Sequence, residues 1–248
     1  MIRIYLSNDL DQEWDESGQK EVIDNTEALR ACQALLRELD RPNKKPEVVV
    51  LECYAQMSTG AKGDIENAQR RLVELLNADR EYIPAMLAMA HSHMLMKQTP
   101  KARNMLKPIS KMPPNPLFVE EFERAYLMLA DIYIGSKKFD LAQELCEKCV
   151  AQNKSCGRAW ESLGLVFEKE QSYRDAAEHY ETAWRLQNET SPSIGFKLAF
   201  NYLKAQRYID AITVCHKVLA QYPQYPRMKK EILDRARQCI RVATDDQR

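Results

Sequence analysis

The chain has 248 residues, 45% hydrophobic and 29% charged, long enough to bury a core without disulfides or bound metal. Its 36 Lys and Arg balance 36 Asp and Glu, which argues against binding of nucleic acid or another polyanion, since that would show as a basic excess. Only seven glycines, with long amphipathic stretches between short breaks, point to an all-helical chain.

The start, Met1 to Asp9, lacks the apolar core of a secretory signal. No run approaches the roughly 18 apolar residues of a membrane helix. Seven cysteines, an odd number at mostly helical positions, suit a reducing compartment. The expectation is a cytosolic chain with no direct membrane insertion. Residues 1–45 form a non-repeat segment. Within it 8–17, acidic at Asp9, Asp11, Glu13, Asp15 and Glu16, reads as a solvated loop, and 25–40, with Leu29, Cys32, Leu35 and Leu36 on one side, reads as a helix.

From residue 49 a pattern recurs. Ala68, Ala102, Ala142, Ala176 and Ala211 are equivalent anchors at intervals of 34, 40, 34 and 35 residues. A period of this length, with helical spacing inside it, predicts stacked helix–turn–helix units at 49–82, 83–116, 123–156, 157–190 and 192–225. The breaks carry recognisable chemistry. Gly63-Asp64 predicts an N-cap for a helix over 65–76, and Gln98-Thr99-Pro100 a cap for one over 101–110. Gly135-Ser136 ends a helix, while Ser172 and Ser191-Pro192 start two more. The six extra residues 117–122 lengthen the next helix at its N-terminus. Pro226 opens a capping helix over 227–242, with Ile232, Ala236, Cys239 and Ile240 on its apolar face.

Helices cross closely only where small residues meet. That predicts contacts between Gly164 and Ala176, Ala130 and Ala142, Ala90 and Ala102, and Ala199 and Ala211. Trp160, Leu163, Phe167 and Tyr180 fill the space around them, as do Tyr126, Leu129, Tyr133 and Cys146 one unit earlier. The first unit is weak, because Glu52, Gln56 and Thr59 stand where apolar or small residues are expected.

The sequence Trp160, Leu163, Gly164, Phe167, Ala176, Tyr180, Ala183 resembles the tetratricopeptide repeat, complete in the fourth unit and degenerate elsewhere. The resemblance implies a right-handed α-solenoid. The runs at 87–91, 99–103, 139–142, 153–156, 168–171 and 195–204 (GFKLAFNYLK) further resemble the C-terminal end of the tetratricopeptide repeat protein 21 family. That family is the large repeat subunit of intraflagellar transport complex A, and its members are several times longer than this chain. The resemblance implies a non-enzymatic scaffold, cytoplasmic and ciliary (cilium, axoneme or basal body). It also implies roles in retrograde transport, cilium assembly and cargo delivery, with the other subunits of the complex and ciliary cargo as partners.

In such a stack the first helices line the concave face. Register places Leu87, His91 and Met94 there, then Leu127, Asp131 and Ile134. Arg158, Glu161, Leu165 and Glu168 follow, and after them Phe196, Phe200 and Lys204. This mostly apolar groove suits a helix or extended segment, with Arg158 and Glu161 selecting it by charge. It lacks the Lys and Asn set of chaperone-binding repeat proteins, which counts against the alternative of a free adaptor for peptide tails.

Cys146 and Cys149, with Cys156, are the sharpest metal or redox candidates. Both fall on core positions and no second pair completes four ligands, so buried thiols and no cofactor are expected. His91 and His93 point to different helix faces, and neither His179 nor His216 has a motif-like neighbour. No phosphate loop, nucleophile elbow or zinc-protease motif occurs, so no reaction is assigned.

Overall fold

The computed structural model describes residues 45–225 and 227–245, with helical backbone also at Ala31 and Ala34. The loop expected over 8–17 and the rest of the helix expected over 25–40 lie outside the described residues. Among the described residues there is no strand, and eleven α-helices follow one another: α1 (Pro46–Met57), α2 (Lys62–Ala78), α3 (Ile83–Leu95), α4 (Thr99–Ile109), α5 (Val119–Gly135), α6 (Phe139–Gln152), α7 (Gly157–Lys169), α8 (Tyr173–Leu186), α9 (Pro192–Lys204), α10 (Tyr208–Gln221) and α11 (Asp234–Asp245). A 3-10 turn, Pro116–Phe118, precedes α5, and a π-helix, Met228–Leu233, precedes α11. The chain divides into two compact units at Leu129/Ala130, inside α5.

In the first unit α1 packs on α2, α3 on α4, α2 on α3 and α1 on α3. Val50, Cys53 and Met57 of α1 meet Ile65, Ala68 and Leu72 of α2, each trio spaced i, i+3, i+7, with Ala85, Ala88 and Met89 of α3 completing the core. The polar residues that weaken the first repeat have separate fates. Glu52 accepts a charged hydrogen bond from Arg71 of α2, whereas the side-chain oxygen of Gln56 is buried without a partner. Helix α2 starts three residues before the expected Ile65. The Thr59 hydroxyl closes the turn by donating to Asp64 at 2.7 Å and accepting from the Ala61 N–H at 3.2 Å. Gly63 and Asp64 therefore sit inside the first turn, where a carboxylate suits the helix dipole. Helix α4 likewise starts at Thr99, two residues before the expected Lys101, so Pro100 occupies its second position and not its first.

In the second unit α7 packs on α8, α8 on α9, α9 on α10 and α6 on α7, with the π-helix and α11 closing against α10. Its core joins Ala176, Tyr180 and Trp184 of α8 to Leu198 and Tyr202 of α9, Ala211 and Val218 of α10, and Met228 and Ile232 of the π-helix. The terminal helix thus opens differently from the expectation. Arg227 takes a left-handed φ of 69°, and the wider π turns bring Met228, Ile232 and Leu233 all inward before α11 resumes the α period.

The turns between the two helices of each pair share one geometry. Gly60, Lys97, Lys137, Gln171 and Gln206 each have a left-handed φ, between 57° and 71°. After the last four, the next N–H reaches back five residues: Gln98 to His93, Lys138 to Tyr133, Ser172 to Phe167 and Arg207 to Tyr202, at 2.8–2.9 Å. This is the Schellman closure, which satisfies the last carbonyls of one helix while starting the next.

All eight small residues paired by the sequence pattern are buried, and the side chain nearest Gly164 is that of Tyr180. A methyl group on Gly164 would lie 2.8–2.9 Å from three ring atoms of Tyr180, so the glycine makes room for that ring. Gly195 does the same for Val218, whose Cγ2 would lie 2.5 Å from an added Cβ.

Candidate functional site

The interaction face is expected on the first helices of each unit. In the first unit Leu87 is buried, with 2% exposure, because α3 is apolar on nearly every side. Leu127, at 7%, is buried too. Neither therefore presents surface to a partner, which corrects their assignment to the groove. His91 and Met94 are half-buried, and His91 packs against Tyr54 of α1 with ring centroids 5.7 Å apart. His93 lies 3.5 Å from Gln69, and burial, more than the nearby Lys101, holds its pKa below the usual histidine value.

In the second unit the face is cross-linked by charge. Arg158 of α7 donates to Asp131 of α5 at 3.0 Å, and Lys197 of α9 donates to Glu161 of α7 at 2.5 Å. Burial raises the Asp131 carboxyl pKa even though Arg158 opposes it. Farther along, Glu168 accepts from Asn201 at 2.8 Å and from the Tyr180 hydroxyl at 3.2 Å; Asn201 also donates to the Lys197 carbonyl. Burial, and then Glu168, push the Tyr180 phenol far above its usual range, so it stays a donor. The side-chain oxygen of the fully buried Asn201 has no partner. Arg158 and Glu161, expected to select a partner, are thus engaged with neighbouring first helices, each pair contributing about 0–1 kcal/mol at this exposure.

What remains open is the apolar part. Ile134 and Leu165 are half-buried; so are Phe196, beside Tyr225 at 6.1 Å, and Phe200, with Lys204 over its ring at 5.5 Å. Lys197 and Asn201 escaped the sequence reading, though a signal was present. Glu161 and Glu168, seven apart, share one helix stripe, and Lys197 and Asn201, four apart, share another.

Cys146, Cys149 and Cys156 are buried, and burial pushes the Cys146 thiol up to about 12. His179, which has no motif, has a defined setting: it stacks between Trp160 and Phe167, with ring centroids at 5.6 and 4.9 Å and tilts of 26° and 22°. Trp160 and Phe167 lie seven residues apart on one face of α7; both are half-buried, pack against the hydrophobic core and flank the imidazole.

Burial lowers the His179 pKa, against the raising effects of Asp175, Glu178 and Glu147. A lowered folded pKa means that the unfolded chain takes the proton more readily. The stabilisation is therefore complete above the unfolded value of about 6.5 and falls away as pH drops from there through the folded value. Urea midpoints at pH 7.5 and 5.5 should fall more for the wild type than for His179→Phe; equal falls would show that His179 carries no such linkage.

These repeated helix pairs have close counterparts in sequence. A family model described as the Tetratricopeptide repeat protein 21 C-terminal ARM domain matches residues 31–237. The chain belongs to the tetratricopeptide repeat protein 21 family.

The match takes in all five described helix pairs of this tetratricopeptide repeat protein 21 chain and ends within α11. Tetratricopeptide repeat protein 21B of Mus musculus is 48% identical over 221 residues, covering 86% of this chain and 16% of that protein. Tetratricopeptide repeat protein 21A of Mus musculus is 41% identical over 252 residues, covering 97% and 19%. The Caenorhabditis elegans homolog is 34% identical over 98% of this chain and 19% of its own length. The chain thus spans less than a fifth of these relatives.

Among solved structures, YrrB, described as a TPR protein with an unusual peptide-binding site, superposes with a TM-score of 0.58 at 12% identity, covering 86% of this chain and 99% of that one. MamA superposes with a TM-score of 0.57 at 20% identity, covering 68% and 94%. At these identities the likeness is one of fold: an α-solenoid of tetratricopeptide type. No helix among the described residues is long and apolar enough to cross a membrane.

Proposed function

We propose that this chain is a scaffold segment of intraflagellar transport complex A, acting in the cytoplasm and cilium in retrograde transport, cilium assembly and cargo delivery. The observation that carries the reading is the family match across residues 31–237, joined by 41–48% identity to the mouse relatives. The geometry favours a constant protein partner. Ion pairs hold neighbouring first helices at fixed spacing in the second unit, leaving Leu165, Phe196 and Phe200 as the apolar surface. A partner helix or extended segment from another subunit would cover what these half-buried side chains still expose, gaining on the order of 1 kcal/mol each, less than the full value for an exposed side chain.

The test is a tagged pull-down from ciliated cells, comparing the wild type with Phe196→Glu/Phe200→Glu. The other complex A subunits should come down with the wild type and be lost with the variant, helicity being unchanged. Recovery of chaperones, or of nothing from the complex, by the wild type would replace this reading with that of a free peptide-binding adaptor.

A further inference from the structure

The balanced charge of the whole chain conceals a local imbalance. Residues 82–119 contain five Lys or Arg and not one Asp or Glu. All five lie on or beside α4: Lys97, Lys101, Lys107 and Lys111 are exposed, and Arg103 is half-buried. Every ion pair found among the described residues lies elsewhere in the chain. Arg103, Lys107 and Lys111 recur every fourth residue, on successive turns of one side, while Ala102, Leu106 and Ile109 face the core at 0% exposure. Just beyond this stripe, Pro113 and Pro114 lead into the 3-10 turn Pro116–Phe118, which carries Leu117, 82% exposed, and is followed by Val119, 45% exposed.

We infer that the outer face of α4, with Leu117 and Val119, docks an acidic polypeptide segment that carries an apolar side chain. Five uncompensated cations within residues 97–111 attract a carboxylate-rich chain over roughly 8–10 Å at physiological salt, and the side chains of such a chain pair with them turn by turn. The adjoining apolar residues supply the short-range contact that fixes register. Two other anionic partners fit less well. A bilayer needs an apolar helix face to embed, and that of α4 is already used in the core. Single-stranded nucleic acid needs exposed aromatic platforms, but the aromatics nearest the stripe, Tyr82 and Phe118, pack edge-on against each other at 6.2 Å. The surface is separate from the groove, since α4 is a second helix and the groove is built from first helices.

The test uses the full chain and fluorescein-labelled decaglutamate carrying one central leucine, read by anisotropy at 0.05 and about 0.15 M salt. The wild type should bind, more tightly at the lower salt. Arg103→Glu/Lys107→Glu/Lys111→Glu should weaken binding at least tenfold. Lys62→Glu/Lys148→Glu/Lys229→Glu, with the same change in net charge, should weaken it less than twofold. Leu117→Ser should weaken it by a factor that does not change with salt. Should the triple reversal lose helicity, Arg103→Gln/Lys107→Gln/Lys111→Gln takes its place, with at least a threefold loss expected. No binding by the wild type, or equal loss in both triple variants, overturns the inference. So does tighter, equally variant-sensitive binding of a labelled ten-nucleotide RNA or of vesicles with 30% phosphatidylserine. Because Phe196→Glu/Phe200→Glu should leave this binding intact, failure here and failure of the groove reading are distinguishable.

Discussion

Ala176→Arg should abolish cooperative folding of the second unit. Ala176 is completely buried in the core that joins α8, α9 and α10, so an arginine there must either bury a guanidinium without a partner or force the helices apart. An unpaired buried charge costs at least about 3–5 kcal/mol, comparable with the whole stability of a domain of this size. The control is Glu178→Arg, two residues away on the exposed side of α8, which should change stability by less than about 0.5 kcal/mol. Thermal melts followed by far-ultraviolet circular dichroism decide it. An unchanged Tm and helix content for Ala176→Arg would dismantle the repeat register on which the fold assignment rests.

The second large effect comes from the smallest substitution. In an unobstructed helix, Gly164→Ala would stabilise by about 0.5–1 kcal/mol, because alanine loses less backbone entropy. Here the added methyl would sit 2.8 Å from the ring of Tyr180, which is fully buried and held by its hydrogen bond to Glu168. The ring has no room to retreat in a close-packed interior, so the expected outcome reverses sign: a loss of about 1–3 kcal/mol. Trimming the ring removes the obstacle. In a Tyr180→Leu background the same substitution should cost at least about 1.5 kcal/mol less, a coupling that denaturant titration of the four-member cycle measures. Additive effects would mean that Gly164 and Tyr180 do not share the contact described above.

Gly164 also shows how much of the architecture was legible beforehand. Alanines recurring every 34–40 residues located the five helix pairs, because a repeat stack demands a small residue wherever two helices cross. The same pattern named Gly164 as a close-contact position but not Tyr180 as the ring pressed against it, since spacing along the chain does not reveal which neighbour a glycine yields to. Helix ends were legible where proline or a serine cap marked them. Pro192 opens α9 and Ser191 accepts from the Ile194 N–H, as expected. They were misread where a turn closed through side chains, as at Thr59 and Asp64, or through the wider coil of the π-helix, for which no residue type is diagnostic.

The interaction face was less legible than the fold. Position on a first helix singled out Phe196 and Phe200, which are half-buried, yet it also admitted Leu87 and Leu127, which the chain's own packing covers. Arg158 and Glu161 read as free rim charges because their partners, Asp131 and Lys197, lie 27 and 36 residues away, each on the neighbouring first helix. The setting of His179 was invisible for a related reason: Trp160 and Phe167 read as core residues, and only in three dimensions does their seven-residue spacing become a clamp for a ring on α8. The basic face of α4 was hidden by arithmetic, since a chain with zero formal net charge still concentrates five cations on one helix and its flanks.

The measurement that bears most directly on the central claim is photo-crosslinking from the groove. Benzoylphenylalanine placed at position 200, in the chain expressed in ciliated cells, should form a crosslink to a subunit of intraflagellar transport complex A. The same probe at exposed Glu178, on a second helix, should not. Crosslinks from position 200 to chaperones alone, or the same yield from both positions, would contradict a groove dedicated to assembly of that complex.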